Sequence, residues 1–203
     1  MSYHELEPHE VTRAEELAEV QERKTLGFWI YLMTDCVLFA TLFAVFAVLR
    51  NATAGGPSGS ELFDMPFVLV ETMLLLTSSF TVGLALLAAK DKKKTQSLVW
   101  LVVTFVLGAA FLAMELYEFN HLVHEGAGWT TSAFLSSFFV LVATHGLHIA
   151  VGLLWLIVLF IRLKRYNFKK NDVFRLSLFS TFWHFLDIIW IFIFSIVYLI
   201  GGM

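Results

Sequence analysis

Five long apolar runs alternate with short polar stretches along the chain. They fall at about 26–49, 66–89, 97–116, 133–161 and 175–200. Each has at least the ~20 residues a helix needs to cross a ~30 Å hydrocarbon core. The two longest, the fourth and fifth, are expected to tilt or protrude. The pattern predicts an all-α integral membrane bundle of five transmembrane helices. It shows no internal repeat and no soluble domain.

Residues 1–25 break this pattern, with seven Glu against Arg13, Arg23 and Lys24. Thr12 followed by Glu15 reads as a capping box opening a short surface helix of about twelve residues. The acidic start and the absence of an early small-residue cleavage site argue against a signal peptide, so the first apolar run is expected to stay as an anchor. Two domains are expected: an acidic cytoplasmic segment, 1–25, and a five-helix transmembrane domain, 26–203.

Composition narrows the function classes. Of 203 residues, 58% are hydrophobic and 15% charged, with a mean hydropathy of +0.75. A soluble domain has about 45–50% apolar and about 25% charged residues, so a water-soluble enzyme is excluded. A net charge of −3 leaves no basic face for nucleic acid. The one cysteine, Cys36, excludes an intrachain disulfide framework.

The basic residues predict orientation. With five spans, the N-terminus, the 90–96 loop (Lys90, Lys92, Lys93, Lys94) and the 162–175 loop (Arg162, Lys164, Arg165, Lys169, Lys170, Arg175) share one side. Of the 14 Lys and Arg, only Arg50 lies opposite. The positive-inside rule then puts the N-terminus in the cytoplasm and the C-terminus outside. Connections include a Gly/Pro/Ser loop at 53–60 and a Gly-containing loop at 125–132.

No Lys or Arg interrupts a span interior, but Asp35, Glu71, Glu115, His145, His148, His184 and Asp187 do. An Asp at a helix centre costs about 2.5–3.5 kcal/mol on insertion scales, so these groups must face protein or water. At about 1.5 Å per residue, Asp35, His145, His148, His184 and Asp187 fall near the midplane, and Glu71 and Glu115 nearer the outer ends. Two polar layers are expected. The i, i+3 pairs His145/His148, His184/Asp187 and Glu115/Glu118 each share a helix face. Three readings stay open for the middle layer: haem b held by His145 or His148 with His184, a carboxylate-bridged di-metal site lacking the usual Glu-x-x-His, or a structural, lipid- or proton-related network. Gly83, Gly108, Ala109, Ala110, Gly146 and Gly152 are expected to permit close helix contact. Trp29, Trp129 and Tyr198 read as interfacial anchors.

The run THGLHIAVGLLWLI (144–157), followed by FWHFLDIIWIFIFSIVYL (182–199), closely resembles subunit III of haem–copper respiratory oxidases. GFWIYLMTDCVLFATLF (27–43) is similar to that family's first retained helix, and GAAFLAMELYEFNHL (108–122) to its third. The likeness spans nearly all of 26–203. The five-helix form, RNATAGGPSG (50–59), PFVLVET (66–72) and Asp35 followed by Cys36 resemble the cytochrome bo-type ubiquinol oxidase branch.

The resemblance implies an accessory subunit without a catalytic centre, cofactor or metal of its own, in a complex that oxidises ubiquinol, reduces oxygen to water and moves protons. Haems and copper would belong to subunit I, the main partner, with subunits II and IV alongside. This chain would bind phospholipid in the bacterial inner membrane, as a multi-pass protein. The seven buried ionisable residues become a structural, lipid or proton-related network, with Asp35 foremost for proton traffic. The alternative from another class is a free-standing b-type cytochrome.

Overall fold

The computed structural model describes residues 8–54, 64–124, 126–165 and 170–201. Helices account for nearly all of them: α1 Pro8–Leu49, α2 Met65–Lys90, α3 Lys94–His124, α4 Ala133–Arg165 and α5 Lys170–Ile193, which runs on as a π-helical segment, Phe194–Ile200. Five helices are long and apolar enough to cross a membrane, and no strand occurs among the described residues. Most of the 53–60 loop, and Lys169 in the basic loop, lie outside the described residues.

The separate N-terminal helix expected at Thr12 does not occur. Residue 12 is already helical, and α1 runs unbroken for 42 residues. No Gly or Pro interrupts residues 9–26, so nothing forces the polar and apolar stretches apart. The chain divides into two compact units, Met1–Val37 and Leu38–Met203. In the first, Arg23 pairs with Glu19 one turn away at 3.2 Å, fully on the surface.

In the second unit, α2 starts with Pro66 in its first turn, where the fixed φ suits a helix and no amide is lost. It ends in a tight turn: Lys93 N–H donates to Ala88 O at 2.9 Å, and Lys92 takes the left-handed conformation at φ 59°. α3 therefore returns antiparallel to α2. Ser132 caps α4 by accepting the Leu135 N–H at 3.1 Å. Arg162 Nε donates to Asp172 Oδ1 at 2.9 Å, joining the end of α4 to the start of α5.

Two fully buried tryptophans on α5 set the register of the bundle. Trp183 Nε1 donates to Ser78 Oγ of α2 at 3.0 Å. Its ring fills the space left by two missing side chains: a Cβ on Gly108 of α3 would lie 2.8 Å from Cζ2, and one on Gly152 of α4 2.9 Å from Cζ3. Seven residues on, two turns along the same face, Trp190 Nε1 donates to Thr72 Oγ1 of α2 at 3.0 Å. Its ring meets Phe111 of α3 edge-on at 4.6 Å and His145 of α4 at 5.1 Å. From the first level to the second, positions rise on α3 and α5 and fall on α2 and α4, so neighbours in sequence run antiparallel. The outward faces carry Phe80, Leu147 and Leu154, each over 60% exposed, as a lipid-facing surface requires.

Of the small residues expected to give close contact, Gly108, Gly146 and Gly152 do so, and Gly83 does not: a Cβ there meets nothing within 4 Å. Trp183 is rigid, so Gly152→Ala should cost about 1–3 kcal/mol by overpacking. Gly83→Ala should be neutral or gain up to about 1 kcal/mol of helix propensity. Unfolding in mixed micelles by added SDS checks both, and equal midpoints for the two variants would refute the wedge.

Candidate functional site

The seven ionisable residues singled out above separate into distinct environments. Glu71 of α2 joins Glu115 and Glu118, one turn apart on α3, in an acidic cluster buried inside the bundle. The Tyr198 hydroxyl donates to Glu118 Oε2 at 2.9 Å. Tyr198 is thus fully buried and no interfacial anchor. The π-helical end of α5 takes more residues per turn than an α-helix, which rotates Tyr198 back under Trp190, 6.2 Å away. Neither oxygen of Glu71 or of Glu115 has a hydrogen-bond partner among the described residues.

Glu115 also departs from the two-layer expectation. Its carboxyl rests on the bare face of Gly146, where an added Cβ would sit 2.6 Å from Oε1. Helical side chains lean toward the helix N-terminus, so this long side chain reaches back from the outer part of α3. The acids therefore abut the level of His145 and do not stand apart from it.

The histidines diverge. His145 is fully buried and its Nε2–H donates to Leu186 O of α5 at 3.2 Å. Its ring stacks at a tilt on Trp190 and meets Phe111 edge-on at 5.8 Å, and Nδ1 has no partner among the described residues. His148 is three residues on, about 60° short of a full turn, and faces elsewhere. Its Nδ1–H donates to Thr144 O at 2.7 Å, and its ring lies 5.3 Å from Phe39. On α5, His184 and Asp187 lie beside one hydroxyl of α2: His184 Nδ1 and Ser79 Oγ are 2.6 Å apart, and Asp187 sits close to the same Ser79. Asp35 belongs to the unit Met1–Val37, where it is buried and hydrogen-bonded to Tyr31 one turn earlier.

His145 does not fit haem ligation, since its Nε2 is bound to a carbonyl and its ring is packed against two aromatics. No group of three or more His, Cys, Asp or Glu among the described residues could hold a metal ion. What the arrangement can do is fasten helices: α4 to α5 through His145, α2 to α5 through Ser79, and α3 to the end of α5 through Glu118 and Tyr198. The sequence points to none of the partners Thr72, Ser78 and Ser79, and to Tyr198 only as an interfacial anchor. The signal for three of them is the cluster of hydroxyls at 72, 78 and 79 in an otherwise apolar span.

Comparison with known proteins supplies what the site alone does not. The family model described as "Cytochrome c oxidase subunit III" matches residues 9–202. Cytochrome bo(3) ubiquinol oxidase subunit 3 of Pseudomonas aeruginosa is 52% identical over 204 residues, covering 100% of this chain and 98% of that protein. Cytochrome c oxidase subunit 3 of Bacillus sp. (strain PS3) is 50% identical over 182 residues, covering 89% of this chain and 87% of that one. Quinol oxidase subunit 3 of Bacillus subtilis (strain 168) is 46% identical over 184 residues, covering 91% and 90%.

Replacing Tyr198 by Phe leaves Glu118 without its donor and should destabilise the chain by about 1–2 kcal/mol. Tyr117→Phe, at an exposed ring, should stay within about 0.5 kcal/mol of the parent. Detergent unfolding of the two variants reads the difference directly.

Proposed function

Because the chain belongs to the cytochrome c oxidase subunit III family, we propose that it is the accessory third subunit of a proton-pumping terminal oxidase that takes its electrons from ubiquinol. With five membrane-length helices it is a multi-pass protein of the bacterial inner membrane. Other oxidase subunits are its partners. Subunit I, carrying the haems and copper, is the main one, and subunits II and IV complete the complex.

The observation that carries the ubiquinol assignment is the end-to-end match at 52% identity to a ubiquinol oxidase subunit 3. Relatives named for cytochrome c and for quinol are 50% and 46% identical over 89% and 91% of this chain, so the donor assignment rests on that end-to-end match. The buried polar groups support a non-redox role, since they tie helices to one another. Wide apolar outer faces support lipid binding between this subunit and its neighbours. The segregated Lys and Arg support a cytoplasmic N-terminus.

Purification of the tagged chain from its native membrane in mild detergent tests the proposal. The expected result is a haem-bearing complex that consumes oxygen with ubiquinol and not with reduced cytochrome c. Oxygen uptake driven only by reduced cytochrome c would overturn the donor, and a chain that purifies without a haem protein would overturn the assignment.

A further inference from the structure

His184 lies midway along the membrane-length stretch Asn171–Ile200, and it is exposed on the outside of the bundle. That is an expensive place for an imidazole in hydrocarbon. It edges a groove of about 450 Å³ between α2 and α5, whose other polar lining is Ser79, Ser180 and Thr181. Two of the three hydroxyls are engaged inside the chain: Thr181 donates to Ser177 O at 3.1 Å, and Ser79 Oγ lies 2.6 Å from His184 Nδ1. His184 Nδ1 is thus engaged within the chain. His184 Nε2 has no partner among the described residues, and it can donate or accept according to the tautomer.

Gly83 lines the same groove. A mid-helix glycine costs about 1 kcal/mol relative to alanine. At Gly108 and Gly152 the space left is filled by Trp183, but at Gly83 nothing among the described residues lies within 4 Å of an added Cβ. An imidazole with one nitrogen unpartnered among the described residues and a glycine with an open Cβ position therefore line the same groove. Acyl chains can fill a groove but cannot donate a hydrogen bond, and lipid headgroups sit well away from mid-span. A protein helix meets both needs, with a small-residue cleft for close approach and a polar side chain for the contact.

We propose that the α2/α5 groove around Gly83 and His184 seats a transmembrane helix of another oxidase subunit, which closes the groove and hydrogen-bonds His184 Nε2 through a polar side chain. The inference rests on the oxidase reading above and adds the face through which the complex is held.

The test uses the whole complex in its native membrane, with photoreactive benzoylphenylalanine placed at Leu87, an exposed residue of the groove. The expected product is a covalent adduct with another oxidase subunit. A second variant, Gly83→Leu, should reach parental abundance in the membrane, because its Cβ meets nothing within 4 Å among the described residues, yet retain about fivefold less haem protein on the tag. If the parent brings down the haem protein but Leu87 reacts only with lipid, quinone, the N-terminal part of this chain or a second copy, the docking face is wrong and the oxidase reading stands. Full retention by Gly83→Leu also overturns it. If the parent brings down no haem protein, both readings fall together.

Discussion

Trp183 and Trp190 hold the bundle in register. Inside a membrane the solvent is as apolar as the side chains, so burial alone does not drive helices together, and packing with a few hydrogen bonds must suffice. Each indole reaches three neighbouring helices at once. Trp183 donates to Ser78 while its ring occupies the clefts at Gly108 and Gly152. Trp190 donates to Thr72 and packs on Phe111 and His145. A rotation or slide of any of α2 to α4 by one residue would break a contact at both levels.

The buried polar groups take their roles from these two levels. His145, which by type alone is a ligand candidate, is packed beside Trp190 and spends its Nε2 proton on the backbone of α5. The acids lie just beyond, where the absence of a side chain at Gly146 makes room for Glu115 and the π-helical end of α5 brings Tyr198 to Glu118. Below them, Ser79 gathers His184 and Asp187. His145, Ser79 with His184, and Glu118 with Tyr198 act as joints between helices. His184 differs from His145 in lying exposed on the outside of the bundle.

Much of this was legible in the sequence. The number and approximate position of the helices follow from apolar length, and the family motifs lie in the spans that build the polar cluster. The sequence left out what depends on rotation and reach. Tyr198 at a span end reads as an anchor until the wider π-helical turn moves it inward. Glu115 reads as an outer residue until its lean toward the start of α3 is counted. Gly83, Gly108 and Gly152 look alike as letters, and only the position of Trp183 separates the filled clefts from the open one. The N-terminal helix was misread because a capping signature marks a possible start, whereas a continuous helix needs only the absence of a breaker.

A double-mutant cycle on Trp183→Phe and Ser78→Ala, read as unfolding free energy in detergent, addresses the indole joint most directly. Phe keeps most of the ring in the glycine clefts and removes only the N–H. The account predicts a coupling energy of about 0.5–1.5 kcal/mol between the two sites, the range of interhelical hydrogen bonds in membranes. Additive effects, with no coupling, would contradict it.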